Sequence, residues 1–194
     1  MPVASGRSSP ARALSTIELT GPLTAGRLLF LIGLGVLTVV LHKTFHYPLK
    51  MPGHHGLEAM ALLVLGRLSC ASPVSASIVG GSTVATSILS GADHDPATAL
   101  FALAPAVVLD LAVYFFPAWR SYLIIAPIAV AIGHALKPVM RMGLFETFGM
   151  HFGSLRHGLM YPLTSHLVYG FAGGLIAMLL WRAAERRRAE FGRR

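Results

Sequence analysis

From Gly26 to Leu41 the chain reads GRLLFLIGLGVLTVVL, with one charge at its second residue and none after it. Such a run has no polar face to turn toward water, and about 20 mostly apolar residues in helical form cross the hydrocarbon of a bilayer. Five more apolar stretches follow: Gly56 to Ala71, Pro73 to Gly91, Pro96 to Pro117, Tyr122 to Leu136 and Gly158 to Trp181. Only 12% of the residues are charged. That is half of the roughly 25% usual in a soluble domain, which argues against a surface that faces water on all sides. Disorder is excluded by the 54% hydrophobic content, since disordered chains are poor in apolar residues. The expected fold is all-α, a polytopic bundle of about six transmembrane helices over residues 21–183. A disordered arm at 1–20 and a basic tail at 184–194 flank it. The one cysteine, Cys70, cannot form an internal disulfide.

Charge sets the orientation. With six spans, one face of the membrane carries Arg7, Arg12, Arg27, Arg67, Arg120, Arg182, Arg186, Arg187, Arg188, Arg193 and Arg194, and the other carries Lys43, Lys50, Lys137, Arg141 and Arg156. Eleven against five places both termini in the cytoplasm of a bacterial cell, because positive loops stay inside. The polar residues before the first run, with no cleavage site after it, do not read as a signal peptide. Basic residues arranged between and beyond apolar runs point to a bilayer and not to nucleic acid. Ser77, Gly81 and Ala85 on the third span, and Gly170 with Gly174 on the last, recur every four residues and read as helix-packing faces.

All nine histidines fall on the outer side of this arrangement. His42, His46, His54 and His55 follow the first span, His94 follows the third, His134 ends the fifth, and His151, His157 and His166 surround the start of the sixth. Imidazole ligates metals and accepts protons near neutral pH, and ionisable groups at membrane depth are costly enough to mark function. The candidate solute site is therefore an outward cavity formed by His54, His55, Asp93, His94, Lys137, Arg141, His151 and His157. His42 and His46, one helical turn apart, would with His54 and His55 suit a divalent transition metal as ligand. Asp95-Pro96 reads as a helix start. Arg67 and Asp110 sit inside apolar runs at similar depth and are expected to pair, holding the second and fourth spans together.

Enzyme patterns are missing. The chain has no H-E-x-x-H, no G-x-S-x-G, no phosphate-binding loop and no dinucleotide glycine motif, so it is not expected to be an enzyme or to hydrolyse ATP itself. A haem between His134 and His166 is the one redox arrangement with two facing histidines, and a metal- or haem-dependent membrane redox subunit is the alternative function.

The third span of small residues, Asp95-Pro96 opening the fourth, and Ala104-Pro105 followed by Val108-Leu109-Asp110-Leu111 within it resemble a substrate-binding S component of an energy-coupling-factor transporter. The resemblance implies a small six-span protein that captures a vitamin-like molecule or a metal ion outside. It also implies a separate transmembrane coupling subunit and a pair of ATPases as partners.

Overall fold

The computed structural model describes residues 21–44, 51–92, 99–156 and 158–192. Among them the secondary structure is helical, with a lone parallel bridge between Gly21 and Cys70. The helices are α1 (Ala25–Thr44), α2 (Gly56–Ser69), α3 (Ser75–Leu89), α4 (Leu103–Phe115), α5 (Ile125–Phe148) and α6 (Met160–Phe191). Short 3-10 turns at Trp119–Ser121 and Gly153–Leu155 flank α5. Three helices, α1, α5 and α6, are long and apolar enough to cross a membrane. The other three have 14, 15 and 13 residues, so each reaches only about 20 Å at 1.5 Å per residue.

The short α2 forms the axis of the bundle. It packs against all five other helices, while α1, α3, α4, α5 and α6 touch in that order around it. Its Met60, Leu63, Val64 and Leu68 are buried together with Leu31 and Leu34 of α1, Val79 of α3, Leu109 of α4 and Val130 of α5. Outward-facing side chains are no less apolar: Leu29, Phe30, Val36, Leu37 and Val40 of α1 are all exposed. Apolar side chains on both the inner and outer surfaces are what a bilayer requires of a helix bundle, because the outer surface then faces lipid.

Close helix crossings depend on glycine, as expected in lipid. Gly170 and Gly174 let α6 lie against α5, where added Cβ atoms would stand 2.9 Å from Ala131 and 2.8 Å from Pro127. The stripe expected on α3 is displaced by one position. Ala85 is exposed and a Cβ on Gly81 would meet open space, whereas Gly80 faces Ala106 of α4 and Ala76 is fully buried. Sequence spacing finds the small residues but cannot tell a lipid face from a helix face when both are apolar.

Two elements run further than the apolar pattern suggests. Helix α5 does not end near Leu136 but continues through Pro138 to Phe148, closing at Gly149 in the left-handed conformation (φ 68°). Helix α6 extends through the arginine-rich tail to Phe191. The arm at 1–20 lies outside the described residues.

At the end of the bundle where α2 and α4 finish, Arg67 and Asp110 meet. Arg67 Nε is 3.4 Å from Asp110 Oδ1, and both residues are buried. Arg67 Nη1 donates to the carbonyls of Cys70 and Ser72, each at 2.9 Å, and to Ser75 Oγ at 3.1 Å. Asp110 accepts from the backbone amides of Ala76 (3.2 Å) and Ser77 (2.8 Å) in the first turn of α3. Trp119 lies under both Arg67 and Arg120, at 5.7 and 5.3 Å from ring centre to guanidinium. Arg120 Nη2 donates to Leu68 O at 3.2 Å, and Arg182 Nη2 to Ser121 O at 3.0 Å. Burial lowers the pKa of Arg120, and Glu185 opposes the shift.

Candidate functional site

At the opposite end of the bundle the turn before α2, Met51 to His55, folds down onto α5 and α6. Gly53 takes a positive φ of 81°, and its backbone lies against the His166 ring. Gly56 lies against His134 in the same way, so a side chain at either position would displace an imidazole. His134 Nε2 is 3.4 Å from Gly53 O, and His166 Nδ1 is 2.7 Å from Pro162 O. A carbonyl only accepts, so in each contact the ring nitrogen carries the hydrogen. The two rings stack with centroids 4.5 Å apart and planes tilted by 35°.

Below the turn, between α1, α2, α3, α4, α5 and α6, is a cavity of about 310 Å³, at the lower end of the roughly 300–1,000 Å³ typical of small-molecule sites. Its polar and basic lining residues are His42, His55, His134, Lys137, Arg141 and His166. Apolar side chains line it as well: Ala59, Met60, Leu63, Val79, Phe101 and Pro105. Hydroxyls of Thr38, Thr83 and Ser87 complete the lining. Thr38 Oγ1 donates to Leu34 O at 2.9 Å and Thr83 Oγ1 to Val79 O at 3.0 Å. Thr83 Oγ1 also lies 3.4 Å from Gly35 O of α1, so both hydroxyl hydrogens are taken by backbone carbonyls and each oxygen keeps acceptor capacity. Among the described residues no carboxylate lines the cavity. The nearest in sequence, Glu58, accepts from His55 Nδ1 at 2.8 Å.

Helix geometry explains the basic wall. His134, Lys137 and Arg141 are spaced i, i+3 and i+7, so the extension of α5 beyond Leu136 puts Lys137 and Arg141 on the same face as His134. A charge pattern that suggests a loop is thus a helix face turned to a cavity.

The sites expected from the sequence are met unevenly. His55, Lys137 and Arg141 reach the cavity, joined by His42, His134 and His166. His54 stacks beside His55, with ring centroids 4.0 Å apart, and its Nδ1 donates to Met51 O at 2.6 Å. His42 also packs on His55, at 4.1 Å. These contacts bring three of the four expected metal ligands together, but as ring-on-ring packing. Among the described residues no group of three His, Cys, Asp or Glu side chains is placed to hold a metal ion. His151 is not part of the cavity. It packs edge-on against Phe145, 5.4 Å between centroids, in a separate groove that also contains Phe152 and Arg156. His46, Asp93, His94, the Asp95-Pro96 helix start and His157 lie outside the described residues.

The lining residues not anticipated from the sequence differ in how visible they were. Thr38 with His42, and Thr83 with Ser87, are polar pairs one turn apart within apolar helices, a spacing readable from sequence. Met60, Leu63 and Phe101 have no such signal, since a residue lining an apolar cavity wall looks like any core residue.

No protein-family model matches the chain, and the comparisons with curated proteins and with solved structures each give no match.

Proposed function

We propose that the chain is a six-span protein of the bacterial cytoplasmic membrane, with both termini inside, that captures a small organic anion in this cavity from the outer face. The observation that carries the proposal is a cavity lined by two cations, Lys137 and Arg141, together with apolar side chains such as Met60, Leu63 and Phe101. A carboxylate with an apolar body suits such a lining, because the cations compensate its charge where water is scarce and the apolar side chains take up the rest. A divalent metal ion would meet two cations and no lining carboxylate among the described residues, so metal is the less favoured ligand. With no nucleotide-binding motif in the chain, inward release is assigned to a separate membrane coupling subunit and an ATPase pair.

The test is calorimetric titration of the purified protein in lipid nanodiscs with acetate, hexanoate, benzoate, benzamide and zinc chloride. The expected result is saturable binding of hexanoate or benzoate, weaker binding of acetate and no binding of the uncharged benzamide. Lys137→Gln should weaken the carboxylate at least tenfold. Stoichiometric zinc binding without carboxylate binding, or equal affinity for benzoate and benzamide, would overturn the anion assignment.

A further inference from the structure

Four polar atoms among the lining residues have no hydrogen to give. His134 Nε2 donates to Gly53 O and His166 Nδ1 to Pro162 O. In each neutral ring the second nitrogen, Nδ1 of His134 and Nε2 of His166, therefore carries a lone pair. Among the described residues no donor meets either lone pair, and neither atom is sealed inside the protein. Thr38 Oγ1 gives its hydrogen to Leu34 O, and Thr83 Oγ1 gives its own to Val79 O or Gly35 O, which leaves both oxygens as acceptors. All four residues line the cavity. They form two groups: the stacked imidazoles of α5 and α6, and the hydroxyls of α1 and α3, where Thr83 reaches across to Gly35, one turn from Thr38. Ser87 Oγ, also in the lining, can act as donor or acceptor.

A solute that displaces water from such acceptors without reproducing its hydrogen bonds loses affinity. A site with acceptors of this kind therefore rejects an analogue that lacks the matching N–H or O–H, far more strongly than apolar surface alone rejects a misfit. A hydrocarbon body offers the two imidazoles and two hydroxyls nothing. A cationic donor would satisfy them but would share the cavity with Lys137 and Arg141. We infer that the solute carries, besides its carboxylate, neutral hydrogen-bond donors: an aromatic amine, an amide, a ring N–H or a hydroxyl. Thr38, Thr83, His134 and His166 receive these donors and set the specificity, while Lys137 and Arg141 hold the charge. Resting on the organic-anion reading of the cavity, this assignment says what the rest of the anion must offer.

The test is calorimetric titration of the full chain in nanodiscs with matched pairs, 3- and 4-aminobenzoate against 3- and 4-methylbenzoate. Mildly alkaline buffer keeps an ordinary imidazole uncharged. Amino and methyl groups are of similar size, but the methyl is the more apolar, so a cavity that recognises only charge and apolar area favours the methyl member of each pair. The expected result is the reverse. In at least one pair the amino compound should bind about tenfold tighter, the value of one hydrogen bond made where an acceptor would otherwise be left unmet. The double variant Thr38→Val with Thr83→Val keeps the branched shape and removes both hydroxyls. It should bind the methyl compounds as the parent does and lose most of the preference for the amino ones.

Methyl compounds that bind as tightly as the amino ones, or tighter, in both pairs would overturn the donor requirement and leave the anion site standing. Binding of none of the four would overturn the anion reading and this inference with it. A preference that survives undiminished in a double variant that still binds methylbenzoate would overturn the role of the two hydroxyls. Should that variant bind nothing, the preference of the parent protein alone decides.

Discussion

The carboxylate of Asp110 on α4 caps the first turn of α3 while lying 3.4 Å from the Arg67 guanidinium of α2. No side chain of α3's own N-terminus makes that cap, so the amides of Ala76 and Ser77 depend on a residue 33 or 34 positions away. A pair held by charge alone would tolerate an exchange of the two residues. This one has directional partners on both sides: two donors for Asp110, and two carbonyls with a hydroxyl for Arg67. Asp110→Ala is expected to cost about 3–5 kcal/mol, because it leaves a buried cation without its counter-charge. Removal of the cap, which is worth about 1 kcal/mol, contributes to that loss. The reversed pair, Asp110→Arg with Arg67→Asp, should not restore stability, since arginine cannot accept from amides and aspartate cannot donate to carbonyls. Thermal unfolding in detergent measures both. Full recovery in the reversed pair would mean that charge is the whole interaction.

Glycine substitutions should separate contacts from open lipid faces. A Cβ on Gly173 would collide with the backbone carbonyl of Leu57, which cannot turn aside. Gly33 and Gly81 have open space around them. Gly173→Ala is therefore expected to destabilise the bundle by about 1–3 kcal/mol through overpacking. Gly33→Ala and Gly81→Ala should be neutral or slightly stabilising, because alanine is the better helix former. Equal melting temperatures for all three would contradict a close α2–α6 crossing at Gly173.

How far the sequence reveals this architecture depends on the solvent. Apolar runs and their small residues mark where helices are, because only helices satisfy the backbone within lipid. They do not mark which face packs, since neighbours and lipid are equally apolar; this is why Ala76 and Gly80 face inward instead of Ser77 and Gly81. The end of α5 is obscured by Lys137, Pro138 and Arg141, which resemble the start of a loop. Inside the bundle these residues are a cavity wall and a tolerated proline. One misjudged helix end then displaces the next connection as well. The 12 further residues of α5, from 137 to 148, are about 18 Å of rise, and the connection after them places His151 against Phe145 and not in the cavity. The basic character of the site is legible in Lys137, Arg141 and the outer histidines, but its apolar wall is not.

Carboxylate and metal should act oppositely on heat stability. A ligand that binds only the folded state raises the melting temperature with its concentration, by about 2.7 kcal/mol of stabilisation at 100 times its Kd. Benzoate is expected to give this concentration-dependent rise, and Lys137→Gln to abolish most of it. Zinc, nickel or cobalt at equal concentration should leave the unfolding curve in place, and chelation should not lower it. A rise with zinc that disappears in His55→Ala would assign the histidine cluster to a metal instead.

The orientation can be tested through α6. Its 32 residues extend about 48 Å, against about 30 Å of hydrocarbon, so one end must project into water. Residues 183–192 are all exposed, and within α6 four arginines, Arg182, Arg186, Arg187 and Arg188, lie beyond Trp181. The projecting end is thus the carboxy-terminal one, and its charge favours the cytoplasm. With six spans, the arm carrying Arg7 and Arg12 lies on the same side. Alkaline phosphatase fused after Arg194 or ahead of residue 20 should be inactive, and green fluorescent protein at the same places should fluoresce. Deleting residues 183–194 should change stability by less than about 1 kcal/mol, since exposed ion pairs and tails contribute little. Deleting from Arg182 onward should cost more, because that residue holds the Ser121 carbonyl at 3.0 Å. Active phosphatase at the carboxy terminus alone would require an odd number of crossings, and with it one of the short helices α2, α3 or α4 would cease to be a span.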